Sequence, residues 1–550
     1  MIIDMKKNAS LLLLGILIGA ALLRLASLKY GLPLWLINDE PSTILGTLKM
    51  MELKSLIPAF HQNEMSSVLY YPPYISYLYL IPFTIIFIFQ YIHHGVSLEI
   101  LTQIITQDLS PYFIAARLLS ITAGLISIFL LYKTSLNLFS SRKAALFSIF
   151  LATTSLVHIA LSVSARHWIY ISLIYSLAIY ILSKKELSSA RKYFLFYLVA
   201  SLGIGVSTIS IFLFIIPPFW FIVLEKKSYR YLLDIMTKKE FYGAGIIVCL
   251  LSLLPSLLYP QSNGFIIDIT SKSSKSLLGM LASPYLLLEK ISLAEPVLIL
   301  LFILGLIVLV KNHRRIFSIF VGFICIYSAI FYFMFRFESR FVLPLSIFIF
   351  LVAGYGAGQL WNKNVGLKAL LVVLLILPAT ASVKLAQLGW QNDSRAQAVE
   401  WAYRNLNEDD RVVTFGSQLR LPVTHKTLAE LRKVDPSAFR KIDVSEEKLV
   451  ESAMRRFSSL NVYTLQNENV IKDLKNYSHQ NKYTYLIREH ANSELGGYVQ
   501  NIISNNDIRI QSFGYNAQYS LATSEFRGNL IEFLKTKTLG PEITIYKLSP

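Results

Sequence analysis

The sequence predicts a mostly α-helical bundle that crosses a membrane about eleven times, followed by a C-terminal α/β domain. Composition is the first reason. The 550 residues are 54% hydrophobic and only 16% charged, with a mean hydropathy of +0.51, whereas a soluble domain carries about 25% charged residues. The second reason is repetition of apolar runs near the ~20 residues a span needs. They fall at roughly 10–28, 73–92, 111–132, 144–162, 168–183, 192–208, 209–224, 241–259, 294–310, 316–335, 340–360 and 366–385. The third is a change of character at about Trp390, after which the long apolar runs stop.

The first run follows Lys6 and Lys7 and has no small-residue cleavage site before the next acids, so it reads as a retained helix. Lys and Arg mark the cytoplasmic loops. Lys6 and Lys7 place the N-terminus inside, and inner loops carry Lys133, Arg142 and Lys143, then Lys184, Lys185, Arg191 and Lys192. Two further clusters are Lys226, Lys227, Arg230, Lys238 and Lys239, and Lys311, Arg314 and Arg315. An inside N-terminus and an inner loop at 133–143 require an even number of crossings, yet three apolar runs precede that loop. One must stay on the outer face. The run 73–92 opens on Pro72-Pro73, contains Pro82, and leads into a loop, 93–110, with no Lys or Arg. It is read as a juxtamembrane helix; the alternative is that it spans and a later run forms a hairpin.

This parity makes residues 29–110 a large outer loop of a transmembrane region, 1–388. It puts the turn around Ser164–His167, the segment 260–292, the turn 335–340 and a soluble region, 389–550, on the same outer face. In that last region "RAQAVEWAYRNL" reads as a helix before the strand "RVVTFG". Strands "NVYTL", "YTYLI", "IRIQSFG" and "EITIYKL" follow, with helical stretches "EEKLVESAMRRF" and "ELGGYVQNIISNN" between them. Alternation of strand and helix is the α/β pattern.

Net charge is +18. In a soluble protein this would point to nucleic acid, but topology and anionic headgroups account for it here, and nucleic acid is excluded as a partner. The two cysteines, Cys249 and Cys325, both lie in apolar runs and cannot staple an exported domain. No tandem repeat, Walker loop or dinucleotide fingerprint is present.

Asp39 and Glu40, in "WLINDEPSTILGT", lie just after the first apolar run. Acids outside a span are unremarkable by themselves. An adjacent pair at the outer interface, followed by Pro41 and the helix start Ser42-Thr43, is a candidate for catalysis. Neighbouring carboxylates raise one another's pKa, which suits a general base. The same parity brings Arg117, Arg166 with His167, and Arg336, Glu338 and Arg340 to that outer face. One arginine at a span end reads as a snorkelling side chain; several on one side suit bidentate binding of phosphate on a lipid. His61, His93 and His94 read as structural or solvated. No metal-ligand spacing occurs, so no metal is assigned, although Asp39 and Glu40 could hold a divalent ion.

Taken in order, "DE" (Asp39, Glu40), "PP" (Pro72, Pro73), "ARLLS" (Arg117) and "RFVLP" (Arg340, Pro344) resemble the GT-C membrane glycosyltransferases. The nearest branch is the protein O-mannosyltransferase and aminoarabinose-transferase type. "DSRAQAVEWAYRNL" resembles the start of the soluble outer domain of prokaryotic members. The resemblance implies a polyprenyl-phosphate-linked sugar donor and a protein, lipid or glycan acceptor on the outer face of the cell membrane. It maps Asp39 to the catalytic base, Glu40 to its companion, and Arg117 and Arg340 to donor-phosphate contacts. Two departures stand out. Many members carry an acid where this chain has Arg166 and His167, and some have Lys or His where it has Tyr71.

The implied reaction is hexosyl or pentosyl transfer with inversion. Asp39 takes the acceptor proton, and arginines stabilise the leaving lipid phosphate in a water-poor cleft. Arg117, Arg166, His167, Tyr71, Arg336, Glu338 and Arg340 form the expected substrate-binding set. The rival is a lipid-linked-sugar flippase, for which functional charges near the bilayer midplane and internal repeats are expected.

Overall fold

The computed structural model describes residues 2–226 apart from 67, 239–259, 277–334, and 338–415 apart from 392 and 408. It also describes residues 228, 230, 421, 461–465, 483–489, 507–514, 519–521, 525–526 and 528–548. The chain is mostly helical and has the apolar helices of a multi-pass membrane protein. Among the described residues five helices are long and apolar enough to cross a bilayer: Tyr74–His94, Ser110–Phe139, Arg314–Tyr332, Ser339–Trp361 and Val365–Asn405. A sixth is added if the bent pair Arg142–Thr154 and Leu156–Ser162 counts as one span. Helix length alone therefore does not yield the eleven spans expected; the remainder would have to include shorter apolar helices such as His167–Ser183 and Pro296–Asn312.

Small residues let the bundle close. The sequence "AGYGAG" at 353–358 lies on a helix buried throughout its apolar window. A Cβ added at Gly354 would lie 2.1 Å from Ser148 Oγ, and one at Gly305 would lie 2.1 Å from the Val352 carbonyl. Backbones approach this closely where no side chain intervenes, the usual device of helix pairs in lipid.

We label the helices that build the site α1 (Ile2–Leu25), α2 (Glu40–Leu53), α3 (Tyr74–His94), α4 (Ser110–Phe139), α5 (Arg142–Thr154), α6 (Leu156–Ser162) and α7 (His167–Ser183). The axis bends by 63° between α5 and α6. Such a break frees carbonyls on one side and amides on the other, and two buried charges meet them. Arg24 donates to Ala152 O and Thr153 O at 3.5 Å, at the carbonyl end of α5, and to His158 Nδ1 at 2.8 Å. Glu295 accepts from Val157 N at 3.0 Å and Ser155 Oγ at 2.9 Å, at the amide end of α6. A cation at a helix C-terminus and an anion at an N-terminus both oppose the local dipole. The bend re-aims the chain so that residues 163–166 turn toward α2 before α7 begins.

α3 illustrates what composition leaves undecided. Its first residue donates its amide to Gly205 O (3.1 Å), just beyond the end of the helix Ser189–Ile204. Near its last turn Gln90 accepts from Tyr112 at 2.9 Å, close to the first turn of α4. Phe83 meets the same Tyr112 ring at 5.0 Å, and Tyr79 meets Tyr170, one turn into α7. Its contacts at both ends thus fall on the end of the bundle that carries Asp39, which supports a helix lying across that face.

The C-terminal residues form a five-stranded sheet. Strands β1 (Arg411–Phe415), β2 (Asn461–Leu465), β3 (Tyr485–Glu489), β4 (Ile508–Phe513) and β7 (Ile543–Lys547) take the order β2-β1-β3-β7-β4, and β5 (Tyr519–Ser520) pairs with β6 (Glu525–Phe526). β1 is parallel to both neighbours, while β7 is antiparallel to β3 and β4. The helix α8 (Ser394–Asn405) seals one face, burying Ala398, Val399 and Ala402 with Val412, Ile487 and Ile545. All five expected strands are present. The expected helices at 446–457 and 494–506 lie outside the described residues.

A topology test follows. With Cys249 and Cys325 replaced, Asn63→Cys and Glu99→Cys, which flank α3, should react with an impermeant thiol reagent from the same side of the membrane. Both positions are exposed. Labelling of the two from opposite sides would mean that α3 crosses.

Candidate active site

The two adjacent acids part company at the first residue of α2. Glu40 is the first helical residue and Asp39, its N-cap, has left-handed backbone angles, so the two side chains leave in different directions: Glu40 inward, Asp39 toward a part-exposed cleft. Glu40 and Arg117 are both fully buried. Arg117 Nε donates to Glu40 Oε1 at 2.7 Å and Nη2 to Oε2 at 2.6 Å, a two-point fork. The Ala165 amide adds a bond to Oε1 at 2.8 Å, and Arg117 Nη1 reaches the carbonyls of Leu28 and Tyr30, each at 2.8 Å.

Asp39 occupies the N-cap position with φ 64° and ψ −13°, the left-handed region. Asp is among the few residues that adopt it without Gly's freedom. An N-cap Asp ordinarily accepts from the first helical amides, worth about 1 kcal/mol, yet this side chain makes no capping bond. It faces Arg166 Nη2 at 2.9 Å and Arg340 Nη1 at 3.5 Å instead, with 35% of the side chain exposed. The Tyr71 hydroxyl lies near enough to the same carboxylate to feel its charge, and the Tyr71 ring lies 4.3 Å from that of His167. Arg340 is held by Glu338 at 2.5 Å and lies over the Trp168 ring, 5.9 Å from its centre. The sequence reading missed Trp168; its place beside Arg166-His167 was the only available signal.

Burial alone would raise the Asp39 carboxyl, but Arg166, Arg340 and His167, with the bond from Arg166, pull it below the ordinary carboxylate value. Burial and the neighbouring Asp39 anion raise the Tyr71 hydroxyl, which therefore stays protonated as a donor. Mutual elevation of the two acids, expected from their adjacency, is thus replaced by the opposite shift at Asp39. Each carboxylate has its own arginine.

The structure brings Asp39, Tyr71, Arg166, His167, Glu338 and Arg340 together. It does not place Glu40 or Arg117 at the cleft, since both are enclosed and committed to each other. Their expected roles as catalytic companion and phosphate contact gain no support from this geometry: a phosphate could reach Arg117 only by stranding a buried carboxylate. Arg336 lies outside the described residues. Among the described residues no group of three or more His, Cys, Asp or Glu could hold a metal ion, and Asp39 and Glu40 diverge rather than chelate.

Glu40→Gln should therefore act on stability. Breaking one half of a buried pair costs about 3–5 kcal/mol, visible as a lowered thermal midpoint in detergent, while donor affinity of the folded fraction stays near the parent value. Weakened donor binding at unchanged stability would return Arg117 to a phosphate role.

Residues 94–259 match the protein family described as dolichyl-phosphate-mannose-protein mannosyltransferase. No curated protein matches the chain by sequence. Among solved structures, ArnT from Cupriavidus metallidurans bound to undecaprenyl phosphate is similar at 10% identity and a TM-score of 0.43, over 98% of each chain. The oligosaccharyltransferase of Archaeoglobus fulgidus is similar at 12% identity and 0.44, over 86% of this chain and 69% of that one. The arabinofuranosyltransferase AftD from Mycobacteria is similar at 11% identity and 0.30, over 80% and 35%. The family match, which contains Arg117, Arg166 and His167, falls in the branch that the sequence resembles, the protein O-mannosyltransferase type of the GT-C membrane glycosyltransferases.

Proposed function

We propose that the protein moves a sugar from a polyprenyl-phosphate donor to an acceptor hydroxyl or amine at the Asp39 end of the bundle. The family matched over residues 94–259 supports the donor class. One observation carries the site: a part-exposed carboxylate held between two arginines, Arg166 and Arg340.

In the proposed step the acceptor heteroatom attacks the anomeric carbon and gives its proton to Asp39. The bond from that carbon to the phosphate oxygen breaks, and the lipid phosphate leaves with its electron pair. Direct displacement inverts the anomeric centre. Arg340, 21% exposed and only loosely bound to Asp39, is the group best placed to turn toward the phosphate. When it does, Asp39 loses a cation and becomes the stronger base, so base strength rises once the donor is seated. Tyr71 and Arg166 keep the carboxylate oriented. The flippase reading gains nothing from the interior charges, because Arg24 and Glu295 are engaged with the broken ends of α5 and α6.

Asp39→Asn should reduce transfer by about 10²–10⁴, the usual worth of a general base, in a protein that still folds. Near-parental turnover of the purified variant with polyprenyl-phosphate sugars would overturn the assignment. Because arginines depress the Asp39 carboxyl, activity should persist at pH values below the ordinary carboxylate range and fall only as pH drops through the depressed value. Arg166→Gln removes one of those cations, so the acid limb of kcat/KM should move to higher pH; an unmoved limb would take Asp39 out of the rate profile. Arg340→Lys keeps charge but loses the planar fork, and should weaken donor binding. Unchanged donor binding with lowered thermal stability would leave Arg340 as a partner of Glu338 alone.

A further inference from the structure

The start of the C-terminal region is tied to the active site by a continuous buried network. Asp393, 1% exposed, caps α8 by accepting from the Arg395 amide at 2.9 Å. The Arg395 guanidinium returns to the same carboxylate through Nε at 2.7 Å and Nη2 at 2.9 Å. These bonds alone would complete a capped helix. The carboxylate also accepts from the hydroxyl of Tyr30, 363 residues earlier in the chain and 2% exposed, and Arg395 Nη2 lies 3.4 Å from that hydroxyl. The joint is closely built. Ser394 N donates to Leu539 O at 3.0 Å, and a Cβ on Gly540 (φ 95°) would lie 2.4 Å from Ser394 Oγ.

From Tyr30 the network continues inward. Its carbonyl accepts from Arg117, Arg117 holds Glu40, and Glu40 receives the Ala165 amide. Glu40 is bonded in sequence to Asp39, and Ala165 to Arg166. Asp39 and Arg166 face each other at 2.9 Å, so the Tyr30 loop braces both halves of that pair through one ion pair.

We infer that Tyr30, Asp393 and Arg395 are positioning residues for the transferase: the joint with the C-terminal region sets the distance between Asp39 and its arginines. The inference rests on the proposed function for its catalytic consequence, but not for its structural one. Tyr30→Phe removes the hydroxyl and leaves the Asp393–Arg395 pair and the cap intact. Its first readout is hydrogen exchange of a peptide covering residues 163–168, whose Ala165 amide reports the Glu40 contact directly. Exchange there should rise severalfold over the parent, and by a similar factor in Asp393→Asn. Unchanged exchange in both variants overturns the inference, whatever happens to stability.

The second readout is the pH profile of transfer from a polyprenyl-phosphate sugar. In Tyr30→Phe, kcat should fall about tenfold, equivalent to 1.4 kcal/mol, with donor KM nearly unchanged, and the acid limb should move up as Asp39 slips from Arg166. Arg395→Lys, which keeps the charge beside Asp393, should recover part of the rate relative to Arg395→Gln. A lowered thermal midpoint with an unmoved acid limb and parental exchange would make the joint merely structural and overturn the proposal. Raised exchange in a protein whose parent transfers no sugar from any donor tried would sustain the coupling and defeat the transferase reading instead.

Discussion

The bidentate pair between Glu40 and Arg117 is the constraint on which the site depends. Two full charges in an apolar interior are costly, and a pair of this kind is a weak source of net stability. Its value is geometric. A guanidinium fork fixes both carboxylate oxygens in plane, and the remaining donors of Arg117 clamp the carbonyls of Leu28 and Tyr30. Because Glu40 is the first residue of α2, the pair anchors the start of that helix, and the residue before it lies in the left-handed region. A hydrophobic substitute could fill the volume but could not hold the Ala165 amide and the Tyr30 loop at the same point.

The same logic explains the broken helix. A straight span from Arg142 would carry residues 163–166 onward in line, away from α2. The 63° bend redirects them, and Arg24 and Glu295 satisfy the polar groups the bend exposes. In a low-dielectric interior such groups cannot be left unpaired, so the two charges are what the bend requires. Buried ionisable groups inside a membrane protein usually raise the question of a transport path. Here each one has a backbone partner at the break.

Much of this was legible in the sequence, and the boundary of legibility has physical causes. Apolar runs located the helices and alternation located the strands, because both follow directly from periodicity. The convergence of Asp39, Arg166 and Arg340 followed from topology, since parity alone puts span ends on one face. What parity could not separate is Arg117 from Arg166. Both are arginines at the same end of the bundle, and only the three-dimensional packing shows that one is enclosed and the other faces Asp39. Likewise Asp39 and Glu40 read as a pair because they are neighbours in sequence, although the left-handed backbone of Asp39 at the helix start sends the two side chains in different directions. α3 is a third case: its 21 residues satisfy the length of a crossing whether the helix spans the bilayer or lies along it, so length cannot decide between the two.

The joint at Asp393 extends the argument from geometry to chemistry. In the proposed transfer Asp39 is a base that must be ionised and yet strong enough to accept a proton, and such a base needs its cations near but not fixed. Arg166, fully buried and 2.9 Å from Asp39, supplies the fixed part. Arg340, part-exposed and shared with Glu338, supplies the part that can be given up to an incoming anion. That division works only while the Asp39–Arg166 distance is constant, since an arginine drifting away would change the carboxylate as much as the donor does. On our proposal the buried chain from Asp393 through Tyr30, Arg117 and Glu40 holds that distance, and so leaves Arg340 as the variable contact.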